Sequence, residues 1–113
     1  VEYREALLRN PNLVTSLADL AWLLATSPEE ALRKPAEAVQ LAEHAAALTR
    51  RSDMVVLDRL AAAYAADGRY DQAVDAARTA VTLARQANDA EFAGQVQQRL
   101  QQYQQRRPFR MEP

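Results

Sequence analysis

Cysteine is absent from this 113-residue chain, which excludes disulfides and thiolate metal sites. No apolar run approaches the roughly 20 residues that a membrane-spanning helix needs, so direct membrane insertion is not expected. Nor do the opening residues carry the basic-then-apolar pattern of a secretory leader; the chain begins with Val1, and the expectation is a piece of something longer. An excess of either charge is lacking as well, with 14 Lys and Arg against 15 Asp and Glu. Mixed along the chain, these charges give no long-range field to collect a polyanion, so no nucleic-acid partner is expected. The single histidine, His44, has no cysteine beside it, and its neighbour Glu43 points to a different side of a helix. No base and orienter pair follows, and the expectation is no catalytic residue, no metal and no cofactor.

Glycine is scarce too, at 2 residues, while Ala, Leu, Glu, Gln and Arg abound, so intrinsic propensity favours helix almost everywhere. The hydrophobic fraction of 49% suffices for one core. Much of it is alanine, which predicts a thin core with helix axes toward the lower end of the usual ~8–10 Å range. The fold class is all-α.

What the sequence does hold is an internal repeat. Leu17, Leu20, Ala21 and Leu24, followed by Ala38, Val39, Ala42, Ala45 and Leu48, reappear as Leu57, Leu60, Ala61 and Tyr64, followed by Ala73, Val74, Ala77, Ala80 and Leu83. Paired amphipathic helices repeated at an offset of about 40 residues point to a solenoid.

The boundaries follow from the punctuation. Asn10-Pro11-Asn12 breaks a short first helix, because proline lacks an amide hydrogen and disfavours helix in the residue before it. A helix from Leu13 to about Thr26 carries Leu13, Leu17, Leu20, Ala21 and Leu24 on one face and stops at Ser27-Pro28. After a short irregular turn, Pro35 opens the next helix, to Thr49, with Ala38, Leu41, Ala42, Ala45 and Leu48 inward. Arg50, Arg51 and Ser52 connect it to a third helix capped by Ser52 or Asp53, which runs to Asp67 and is ended by Gly68. Tyr70 to about Ala87 pairs with it, and Asn88-Asp89 is a turn and cap. The last helix, Ala90 to about Gln105, has only the narrow stripe Phe92, Val96, Leu100 and Tyr103, as suits a solenoid end. Pro108 ends it, and Arg110 to Pro113 is expected to be a loose tail.

These residues resemble the tetratricopeptide repeat family, whose first helix spaces a large residue, a leucine, a small residue and a tyrosine as Leu57, Leu60, Ala61 and Tyr64 are spaced here. Ala73 and Ala80 fall on its second helix, and Gly68 and Tyr70 on its turn. The earlier unit matches through Leu17, Leu20, Ala21, Leu24, Ala38 and Ala45 but has extra residues in its turn, around Ser27 to Lys34. Tyr3, Ala6 and Pro11 are spaced like the end of a preceding repeat. There are departures: Ala42 and Ala77 stand where a large aromatic is common, and Arg50 and Arg85 stand where a closing proline is. Without that proline the last paired helix should run past Leu83.

The resemblance implies a right-handed α-solenoid of antiparallel helix pairs at the C-terminal end of a longer array. Residues 1–11 would be the second helix of a truncated repeat, 13–50 and 53–87 two full repeats, 89–106 a capping helix and 107–113 the tail. It also implies a non-catalytic interaction module that binds a peptide or partner domain in a concave groove. The groove positions carry over onto Thr15, Ala18, Asp19, Trp22 and Thr26, and onto Val55, Asp58, Arg59, Ala62 and Ala66. That surface is mostly small and apolar around one large aromatic, Trp22, which is either a binding hot spot or half-buried packing. The lysines and asparagines with which some of these arrays clamp a C-terminal carboxylate are missing. Arg99, Arg106, Arg107 and Arg110 read as a solubilising face. The alternative function is self-association into a homo-oligomer through an N-terminal edge formed by Tyr3, Ala6 and Leu7.

Overall fold

The computed structural model describes Arg9, Asn10 and residues 12–112. Tyr3, Ala6, Leu7 and Pro11, and with them the half-repeat and its edge, lie outside the described residues. Among the described residues five α-helices are present and no strand: α1 Leu13–Thr26, α2 Pro35–Leu48, α3 Met54–Ala66, α4 Tyr70–Gln86 and α5 Ala90–Gln104. A single 3-10 turn, Glu30–Leu32, occupies the connection between α1 and α2. No described helix is long and apolar enough to cross a membrane.

The helix starts follow local chemistry. Pro35 sits in the first turn of α2, where its missing amide costs no intrahelical bond. Between the two candidate caps of α3 the structure selects Asp53, whose Oδ1 accepts from the amides of Val55 at 2.9 Å and Val56 at 3.2 Å. Asp89 caps α5 in the same way, accepting from the Phe92 amide at 3.0 Å.

Four helix ends share one closure. Arg50, Gly68, Asn88 and Arg106 all have φ between 54° and 77°, in the left-handed region. The amide after each reaches back to a carbonyl in the last turn: Arg51 to Ala46, Arg69 to Tyr64, Asp89 to Ala84 and Arg107 to Gln102, at 2.8–3.0 Å. This Schellman arrangement satisfies carbonyls that a helix end leaves without partners. α4 runs to Gln86, past Leu83, as the missing proline predicts.

α1 ends differently. Ser27 leaves the helix with ψ 135, and Pro28 follows, so no left-handed residue closes the last turn. Its last two carbonyls, of Ala25 and Thr26, are met by Arg110 and Met111 from the segment after α5.

α1 packs against α2 and α3, α2 against α3, α3 against α4, and α4 against α5. α3 is therefore central, and its residues from Val56 to Ala65 are buried except Arg59. The core is alanine-rich, with Leu57, Leu60, Val56, Val96 and Tyr103 as its large members. α1 corrects the expected stripe: its buried face is Ala18, Ala21 and Ala25, whereas Leu17 and Leu24 are half-buried and Leu20 is 43% exposed. The small residues allow close approach to α2 and α3, so the leucines are rotated toward the outside. α2 turns similarly, burying Val39 and Ala46 alongside Ala38, Ala42 and Ala45.

Candidate functional site

Trp22 lies on α1, one turn before the helix end that lacks its own closure. Three guests from elsewhere in the chain meet it. Arg59 of α3 and Arg99 of α5 hold their guanidiniums over the indole at 4.3 Å and 5.1 Å from its centre. The ring of Phe109, in the non-helical segment after α5, stacks on it with centroids 5.3 Å apart and planes 29° from parallel. Arg99 also lies over Phe109, at 5.0 Å. Cation–π attraction and ring stacking thus hold together residues from α1, α3, α5 and the tail.

Asp58 anchors both arginines. Its side chain is fully buried, accepting from Arg59 Nη1 at 2.8 Å on Oδ2 and from Arg99 Nη1 at 3.1 Å on Oδ1. Burial raises its pKa above the usual carboxylate value, and the nearby charges of Arg99 and Arg59 offset part of that rise. One carboxylate shared by two guanidiniums leaves the cluster with positive charge in excess.

The segment after α5 continues past Phe109 onto the end of α1. Met111 donates its amide to the Thr26 carbonyl at 2.8 Å, and Arg110 Nη1 donates to the Ala25 carbonyl at 3.2 Å. The Lys34 amide takes the Leu24 carbonyl at 2.9 Å, and the Ser27 amide takes that of Leu23 at 3.1 Å. All four terminal carbonyls of α1 are accounted for, two of them by the tail. A cation at a helix C-terminus also meets the negative end of the helix dipole. Burial, and next the positive charge of Arg33, lower the Arg110 pKa.

The loose tail expected from Arg110 to Pro113 is therefore corrected for Arg110 and Met111, which like Phe109 are half-buried, with Arg110 and Met111 bonded to the end of α1; Glu112 is exposed, and Pro113 lies outside the described residues. The solubilising reading of the four arginines is corrected in the same way for Arg99 and Arg110, while Arg106 and Arg107 are exposed.

Of the positions expected to line the groove, Trp22, Asp58 and Arg59 come together, and Thr26 contributes its carbonyl. Thr15, Asp19 and Val55 are exposed and take no part in the cluster; Ala66 is half-buried. Ala18 and Ala62 are buried as core, and Asp58 is too deep to meet a ligand directly. The Thr26 side chain turns inward, its hydroxyl donating to the Trp22 carbonyl at 2.7 Å. Sequence reasoning missed Arg99, Phe109, Arg110 and Met111. The available signal was the alternation of Phe109 and Met111 in an otherwise polar segment.

His44 sits half-buried on α2, and among the described residues no group of three or more His, Asp and Glu side chains is placed to hold a metal ion. A shallow depression between α4 and α5, lined by Tyr70, Val74, Tyr103 and Arg106 among others, is a separate feature. No protein-family model, no curated protein and no solved structure matches this chain.

Proposed function

We propose that this chain is a non-catalytic protein-interaction module, a right-handed α-solenoid of the tetratricopeptide kind, whose face formed by α1, α3 and α5 binds a short segment of a partner. One observation carries the reading: a non-helical stretch, the chain's own residues 107–112, already lies across that face and is held by a main-chain amide, one aromatic ring and one guanidinium. Trp22 is the centre of the surface. Its ring offers large area at small rotamer cost, and the two guanidiniums beside it add polar reach. A displayed-peptide selection tests this. Peptides enriched on the wild-type chain should lose at least tenfold in affinity on Trp22→Ala with helicity retained; equal binding to both proteins removes the Trp22 face from the reading.

Self-association is the second reading, favoured by Leu20 and Leu23, which stand 43% and 46% exposed on one side of α1. Light scattering over a dilution series decides it, because a constant monomer mass is incompatible with association through that side.

A further inference from the structure

Residues 107–112 behave toward the rest of the chain as a ligand does. None of them is buried, and none belongs to a helix. Their hold on the helices is local: the Phe109 ring on Trp22 and Arg99, the Arg110 guanidinium on the Ala25 carbonyl, and the Met111 amide on the Thr26 carbonyl. The seat, by contrast, is built on buried groups. Ala25 and Thr26 are fully buried, and Asp58 fixes both arginines from beneath. The seat has three distinct requirements: an aromatic ring for the indole, a cation for the Ala25 carbonyl at the end of α1, and a main-chain amide for the Thr26 carbonyl. Phe109, Arg110 and Met111 meet them in consecutive order.

Resting on the peptide-binding reading above, we propose that the C-terminal segment is the resident occupant of this seat, and that the partner which replaces it presents an aromatic residue followed directly by arginine or lysine. The order matters because the aromatic subsite and the carbonyl subsite are filled by adjacent residues, Phe109 and Arg110. An acidic residue in the second place would meet the negative end of the α1 dipole and is disfavoured. Since the resident segment is tethered, it competes at a high effective concentration, and a partner in solution binds only weakly until the segment is loosened. Access to the seat is thereby governed by the tail.

The experiment uses the full chain and a synthetic peptide spanning residues 106–112. Trp22, the single tryptophan, reports occupancy through its fluorescence. Phe109→Ala should open the seat, so that the peptide binds this variant at least tenfold more tightly than it binds wild type. The same peptide with alanine in place of its phenylalanine, or glutamate in place of the following arginine, should not bind either protein. Arg110→Ala loosens the segment by a second route and should change peptide affinity in the same direction. It serves in place of Phe109→Ala if circular dichroism shows that variant to have lost helix. Equal affinity for wild type and a folded variant overturns the inference, since the tail then does not compete. So does absence of binding to every folded variant. Neither result touches the peptide-binding reading, whose own failure would be a displayed-peptide selection that enriches nothing dependent on Trp22.

Discussion

Two tyrosines with opposite surroundings set the terms at the scale of single residues. Tyr64 on α3 donates its hydroxyl to Glu43 Oε2 of α2 at 2.8 Å, whereas the Tyr103 hydroxyl on α5 is buried without a hydrogen-bond partner among the described residues. Removing a paired hydroxyl loses a bond, and removing an unpaired one relieves a desolvated group. Tyr64→Phe should therefore cost about 1 kcal/mol, while Tyr103→Phe should be neutral or stabilising by about 1 kcal/mol at neutral pH, as denaturant unfolding would measure. Burial, and next the Asp58 charge, push the Tyr103 phenol far above its ordinary 10.0. The folded chain keeps that proton where the unfolded chain has released it. The contribution to stability is accordingly complete below pH 10 and is lost as pH rises beyond it. Tyr103→Phe should flatten this alkaline decline, and an unchanged pH profile would refute the assignment. The sequence marks both tyrosines as core members of their helices. It does not mark which has a partner, because Glu43 and Tyr64 are brought together by the packing of α2 on α3.

At the scale of the element, helix beginnings and most endings are legible in the sequence, because caps and breakers act within a few residues. Pro35, Asp53, Asp89 and Ser27-Pro28 work where they stand. Gly68, with φ 77, and Asn88, with φ 59, are closures that their residue types announce. Arg50 and Arg106 adopt the same geometry, and nothing in their side chains signals it; the helix end imposes it at roughly 1 kcal/mol each. The two glycines consequently respond to alanine with opposite signs. A Cβ meets nothing within 4 Å at either position, so space decides neither case. Gly68→Ala should destabilise by about 1 kcal/mol through its positive φ. Gly94→Ala, exposed within α5, should stabilise by about 0.5–1 kcal/mol by reducing the freedom of the unfolded chain and improving helix propensity. Thermal unfolding of the two variants checks both signs. The facing of α1 was less legible: with leucines and alanines on adjacent stripes, periodicity does not tell which stripe a neighbour covers, and close packing selects Ala18, Ala21 and Ala25.

For the whole molecule, the connection that matters joins α3 to α5 and the tail to α1. Asp58 and Arg99 are 41 residues apart, and no pattern in the sequence links them. The groove positions carried over by resemblance reach Trp22, Asp58 and Arg59 because those belong to the repeated first helices; Arg99 and Phe109 lie beyond the repeats, where no pattern guided the reading. Asp58 is fully buried, and Arg99 keeps only 15% of its side-chain surface exposed. Attraction between such charges is strong, yet so is the cost of taking them out of water, and the net worth of the pair shows only when one partner is removed. Asp58→Ala leaves two guanidiniums against Trp22 and Phe109 with no counter-charge beneath them, and should cost about 3 kcal/mol. Arg99→Ala leaves Asp58 with Arg59 alone and should cost less. If the pair couples α3 to α5, the double variant will be more stable than the two single losses predict, by about 1 kcal/mol or more. Strict additivity in that cycle would mean that the helices are held by their apolar packing alone, with Asp58 merely tolerated among them. A positive coupling together with a red-shifted Trp22 emission in Asp58→Ala would place the buried carboxylate as the support of the aromatic seat, since loosened arginines free the indole to meet water.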